Sequence, residues 1–109
     1  MKFRLYKHLY TNDLSPKKIR YYRKRIEQLK PAITLQLITM PLGQEGLVEI
    51  YPYTLFLQRA YKEDSRPLYV LGLADSKDGA LKVVETLIMD VYQTTGGFEV
   101  EEFVKHRQG

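Results

Sequence analysis

The sequence predicts an α+β domain. The expected architecture is a two-layer sandwich in which a mixed sheet of four to five strands is packed by two to three helices, in the order β-α-β-β-α-β-α-(β). Three observations predict it. Short segments with the period of strands alternate with longer segments with the period of helices. Two of the strand segments are separated only by a short Pro/Gly-containing loop, the pattern of an antiparallel hairpin. Strand, helix and strand also recur in alternation, which calls for crossover connections, so the sheet is mixed. At 109 residues, with no internal repeat, low-complexity tract or dividing linker, residues 1–109 are expected to form a single compact domain.

Residues 2–7 alternate polar and apolar, as in a half-buried strand with Phe3 and Leu5 inward. Thr11-Asn12-Asp13 is a turn cluster. Ser15-Pro16 opens a helix: the Ser15 hydroxyl can accept from orphan amides, and Pro16 suits the first helical position, where its missing N–H costs nothing. Leu14 and Ile19 stand at the staple positions. Ile19, Tyr22, Ile26 and Leu29 form one narrow apolar stripe, and Pro31 is expected to stop the helix.

Residues 33–40 are β-rich, with Ile33, Leu35 and Leu37 on one face; residues 41–46 supply a loop and residues 47–51 return as the hairpin partner. Pro52 ends that strand. Residues 53–62 place Tyr53, Phe56, Leu57, Ala60 and Tyr61 at helical spacing, with enough aromatics that a strand is the alternative. After a polar loop at 63–67, residues 68–74 are apolar on both faces, the mark of a central strand covered by other elements. Ser76 caps the next helix, whose stripe is Ala80, Leu81, Val84, Leu87, Ile88 and Val91. Gly96-Gly97 ends it with one left-handed glycine. Residues 98–104 read as a strand, a short helix, or one and then the other.

Composition bounds the chemistry. Hydrophobic residues make up 44% and charged residues 28%, as in an ordinary globular chain. The absence of cysteine excludes thiolate metal sites, thiol catalysis and disulfides. No apolar run approaches the roughly 18 residues of a membrane span, and no apolar h-region follows the N-terminal charges, so a cytoplasmic chain with no membrane partner is expected. The net charge of +4 conceals an asymmetry: residues 1–30 carry ten Lys/Arg and two acids, and residues 31–109 carry seven Lys/Arg and eleven acids. The domain is charge-polarised.

The stretch Leu68-Tyr69-Val70-Leu71-Gly72-Leu73-Ala74, a capped helix ending Asp90-Val91-Tyr92-Gln93-Thr94-Thr95-Gly96-Gly97, and then Phe98-Glu99-Val100 resembles a group of small uncharacterised proteins from Gram-positive bacteria. The resemblance covers roughly residues 33–104. It implies one compact domain in a bacterial cytoplasm and transfers no activity or functional residue.

Catalytic constellations are missing from the sequence. His8 and His106 lie at opposite ends of the chain without paired metal-ligand spacing, and Glu99, Glu101 and Glu102 read as a solvated edge. No Gly-x-Ser-x-Gly elbow or phosphate loop occurs; Ser15, Ser65 and Ser76 are explained as caps and loop. The chain is therefore expected to be no enzyme and to use no cofactor or metal.

Two readings of function remain. The first is a protein-interaction or self-association module, a homodimer among its forms, with Tyr51, Tyr53 and Tyr61 as the interaction surface; exposed tyrosines give contact area at small entropic cost. The alternative is an accessory nucleic-acid-binding protein using the basic helix 16–30, with Lys17, Lys18, Arg20, Lys24 and Arg25 on phosphates and Tyr21 for stacking or phosphate contact. Lys17 and Lys18 sit in the first helical turn, where the macrodipole disfavours cations, so an anion is expected near that end. Ser15-Pro16-Lys17-Lys18 also resembles the Ser-Pro-Lys-Lys element of histone tails. Against the alternative, the basic face could simply be solvated or pair with the acids of residues 45–102.

Overall fold

The computed structural model describes residues 1–43 and 46–108. Its elements are β1 (Lys2–Thr11), α1 (Pro16–Glu27), β2 (Gln36–Thr39), β3 (Glu49–Pro52), a 3-10 helix (Tyr53–Leu57), α2 (Arg59–Lys62), β4 (Pro67–Ala74), α3 (Lys77–Thr95) and α4 (Val100–Gln108). The strands form one mixed sheet in the order β1-β4-β2-β3. β1 runs parallel to β4, while β4–β2 and β2–β3 are antiparallel. This is the expected α+β class, with the hairpin in place and the 68–74 segment at the centre.

The layering differs from a two-layer sandwich. One apolar cluster joins Tyr22 and Ile26 of α1, Tyr53 and Phe56 of the 3-10 helix, and Leu35, Leu37, Leu68, Val70 and Leu73 from the sheet. A second joins Tyr6, Ile38, Leu71 and Ala74 to Ala80, Val83, Leu87 and Val91 of α3 and to Val100, Phe103 and Val104 of α4. Helices therefore cover both faces. The reason lies in β2 and β4, which carry apolar side chains alternately on each face; neither face can be left to water when each buried side chain of this size contributes ~1.5–3 kcal/mol.

Ser15 accepts from the Lys18 backbone N–H at 3.1 Å, with Pro16 first in the helix, as its sequence requires. The far end departs from expectation. Pro31 does not stop α1, which ends four residues earlier. Leu29 adopts a left-handed φ of 53°, and the Lys30 N–H donates to the Arg25 carbonyl at 2.9 Å. This closure normally uses glycine; here the left-handed residue is Leu29, which leaves the helix and is partly exposed rather than continuing the stripe.

Other expectations are corrected by tertiary packing. Ile33 lies before β2 and is 84% exposed, not on the inner face with Leu35 and Leu37. The 53–62 helix is broken at Gln58, which is extended (φ −68°, ψ 147°). The three-residue repeat of its 3-10 half stacks Tyr53 and Phe56 together into the first cluster. In α3, Val83 is buried where Leu81 was expected, and Leu81 faces solvent. Residues 98–104 form no strand: α4 lays Val100, Phe103 and Val104 over Tyr6. The expected loop at 41–46 includes positions 44 and 45, which lie outside the described residues.

Candidate functional site

The two segments that hold the positive charge are neighbours in space. β1 is an edge strand, and α1 packs beside it: Phe3 and Leu5 line one concave surface with Ile26 and Glu27, and another with Arg23 and Glu27. The charge asymmetry of the sequence thus becomes one basic side of the molecule. Its outward ridge is the face of α1 opposite Tyr22 and Ile26, where Lys17, Arg20, Tyr21 and Lys24 are all exposed. Among the described residues, the side chains of Lys17, Arg20, Arg23 and Lys24 form no ion pair or hydrogen bond, and Glu27, one turn from Arg23, is not bonded to it.

Lys18 and Arg25 behave differently. The Lys18 ammonium lies 2.8 Å from Asp75 Oδ2 and 5.9 Å from the centre of the Tyr22 ring. The hydrogen bond to Asp75 is the main cause that raises the Lys18 pKa. Asp75 therefore supplies the anion expected near the start of α1, and it comes from the same chain. The Ser15–Lys18 segment is a capped helix start, not an extended tail element. Arg25 donates from Nε and Nη2 to the Pro31 carbonyl at 2.9 and 2.6 Å and covers the Tyr21 ring at 5.7 Å. It secures the helix end.

Of the tyrosines assigned to an interaction surface, one is core and two are half-buried against it. Tyr53 is fully buried, and its hydroxyl donates within reach of the Lys30 carbonyl (2.9 Å) and the Arg25 carbonyl (3.2 Å). Burial raises its pKa, with the Arg25 charge opposing. Tyr51 and Tyr61 are half-buried and meet the Phe56 ring edge-on, each at 5.3 Å between ring centres. Aromatic packing around Phe56 is what these residues do, so Tyr53 is withdrawn from any surface, and the other two offer only their rims.

Sequence reasoning missed Tyr69 and Arg4. Tyr69 lies on β4, a strand with neighbours on both sides, yet it is 49% exposed while residues 70–74 are buried. Arg4 is its partner in the β1–β4 register. The two line one concave surface with Arg23 of α1, which carries the basic side around the sheet edge. A signal existed: Tyr69 is the one side chain with a polar tip in an otherwise aliphatic run.

His8 and His106 are both exposed, and Glu101 pairs with Lys105 at 3.1 Å. Among the described residues no group of three or more His, Asp or Glu side chains is placed to hold a metal ion. Nor is any helix among them long and apolar enough to cross a membrane. No protein-family model matches the chain, and comparisons with curated proteins and with solved structures returned no match.

Proposed function

We propose that the protein is an accessory nucleic-acid-binding module of a bacterial cytoplasm, holding the phosphate backbone on the outward face of α1. The observation that carries this reading is the set of cations without partners. Six Lys/Arg stand on a twelve-residue helix. Lys18 has an acid and Arg25 a carbonyl, whereas Lys17, Arg20, Arg23 and Lys24 have neither among the described residues. Cations kept together at helical spacing repel one another, and stability alone does not explain the cluster. A line of phosphates would neutralise it. Tyr21, 53% exposed beside Lys17 and Lys24, adds a hydroxyl for a phosphate oxygen. The mechanism is electrostatic, with counterion release as the driving term and little base readout from the helix.

The test is binding to a random duplex and to a single strand at about 50 and 200 mM salt. Affinity is expected to fall steeply between the two concentrations. Changing Lys17, Arg20 and Lys24 together to Ala should weaken binding to every sequence and flatten the plot of log affinity against log salt by roughly two to three. Thermal stability should hold or rise slightly, because the side chains make no contact that folding needs and their mutual repulsion is relieved. No binding to either ligand at the lower salt overturns the reading.

A further inference from the structure

The exposed phenol of Tyr69 stands out on a sheet covered by helices on both faces. β4 buries every residue from Val70 to Ala74, and Leu68 on the opposite face is also buried. Tyr69 alone among its large side chains reaches solvent, at 49% exposure. On one side of the ring is Arg4, its register partner on β1. On the other is a cavity of about 570 Å³ lined by Met40, Pro41, Tyr69, Glu101, Val104 and Lys105. Glu101 and Lys105 pair across 3.1 Å on the cavity side, and Arg4 brings a guanidinium to the other. From Arg4 the surface passes to Arg23 and so onto α1.

We infer that Tyr69 is a stacking platform for an unpaired nucleobase, so that the preferred ligand is single-stranded nucleic acid, its base on the Tyr69 ring and its phosphates running past Arg4 and Arg23 towards α1. The inference rests on the phosphate-binding reading of α1 and extends it from charge to ligand form. The chemistry is specific. An aromatic face gains from a flat base only when that base is free of a duplex, whose base faces are occupied by their neighbours. The cavity next to the ring is walled by Met40, Pro41 and Val104, apolar groups that suit the edge and face of a base. The flanking guanidinium of Arg4 suits the phosphate. Neither feature discriminates strongly between bases, so weak sequence preference follows.

The experiment compares a short oligothymidylate, the same strand carrying abasic positions, and a blunt duplex, each titrated at about 50 mM salt. The intact strand is expected to bind wild-type protein roughly tenfold or more tightly than the abasic strand. Tyr69→Ala should lower affinity for the intact strand by a similar factor, Tyr69→Phe should retain it, and duplex binding should be indifferent to both. The abasic arm uses wild-type protein and does not depend on a variant's folding. Equal affinity for intact and abasic strands, or an intact-strand affinity unmoved by Tyr69→Ala, overturns the inference. If binding in that case still falls when Lys17, Arg20 and Lys24 are changed, the α1 reading stands without it. No binding by any of the three ligands overturns both.

Discussion

Tyr6 and Tyr53 are both buried core tyrosines, and their hydroxyls are in opposite situations. Tyr53 donates where two carbonyls of the α1 terminus converge. The Tyr6 hydroxyl is buried with no hydrogen-bond partner among the described residues, and burial raises its pKa. Removing one oxygen should therefore have contrary effects. Tyr53→Phe is expected to cost ~0.5–1.5 kcal/mol, because the Lys30 carbonyl loses the Tyr53 hydroxyl, while the Arg25 carbonyl keeps the Lys30 N–H. Tyr6→Phe should be neutral or stabilising by up to ~1 kcal/mol, since it deletes a polar group that is desolvated without return. Urea midpoints of the two variants at constant m-value check the pair. At Gly72 the constraint is space. A Cβ there would lie 2.7 Å from the Tyr10 carbonyl oxygen and 2.7 Å from Val83 Cγ1, where strand β1 and helix α3 close on β4. Gly72→Ala should cost ~1–3 kcal/mol through overpacking, visible as a lowered Tm, whereas Gly43, with open space around it, should accept alanine.

Among the elements, the segment joining α2 to β4 carries a pH dependence. Arg66 donates to Asp64 from its side chain and its backbone N–H, and these bonds hold the Asp64 carboxyl down to about 2. A carboxyl depressed in the folded state stabilises it at pH values above the unfolded pKa near 3.8, and that contribution disappears as pH falls towards about 2. Asp64→Asn should therefore flatten the fall of Tm over this acid window relative to wild type, with little change in slope above pH 5. The helix starts were legible for a local reason: Ser15 and Ser76 accept from amides three residues on, at 3.1 and 2.9 Å, so the information sits in adjacent residues. The helix ends and breaks were less so. Leu29 turns left-handed where Tyr53, distant in sequence, ties down the carbonyls of the α1 terminus. Gln58 breaks the 53–62 segment because Tyr53 and Phe56 must enter the core together. The C-terminal segment had short apolar spacing compatible with strand or helix, and it is its packing against Tyr6 of β1 and the apolar face of α3 that goes with α4.

For the molecule as a whole, the two apolar clusters share one sheet. β2 gives Leu37 to one and Ile38 to the other, and β4 gives Leu73 to one and Leu71 to the other. Neither cluster can lose its strands without exposing the other. Unfolding is expected to be a single cooperative transition, with tyrosine fluorescence and far-ultraviolet circular dichroism coincident in urea; two separated midpoints would contradict the shared sheet. The candidate site divides along the same line between local and distant information. Lys17, Arg20, Tyr21 and Lys24 were legible because helical periodicity alone puts them opposite Tyr22 and Ile26. Lys18 and Arg25 were on the same list, and their engagement depends on Asp75 and Pro31, which periodicity does not place. Tyr69 was hidden for the converse reason: an apolar run looks uniformly buried until packing shows which of its side chains are covered.

By itself, then, the sequence determined the α+β class, the strand order along the chain, the capped helix starts, the central place of residues 68–74 and the polarity of charge. Those depend on periodicity, capping and composition, which act over a few neighbouring residues. Only the tertiary structure decided that helices cover both faces of the sheet, that Tyr53 is a buried tie rather than a surface contact, which cations of α1 keep no partner among the described residues, and that Tyr69 is open beside Arg4. Those depend on groups far apart in the chain meeting at one place, and no local pattern carries that information.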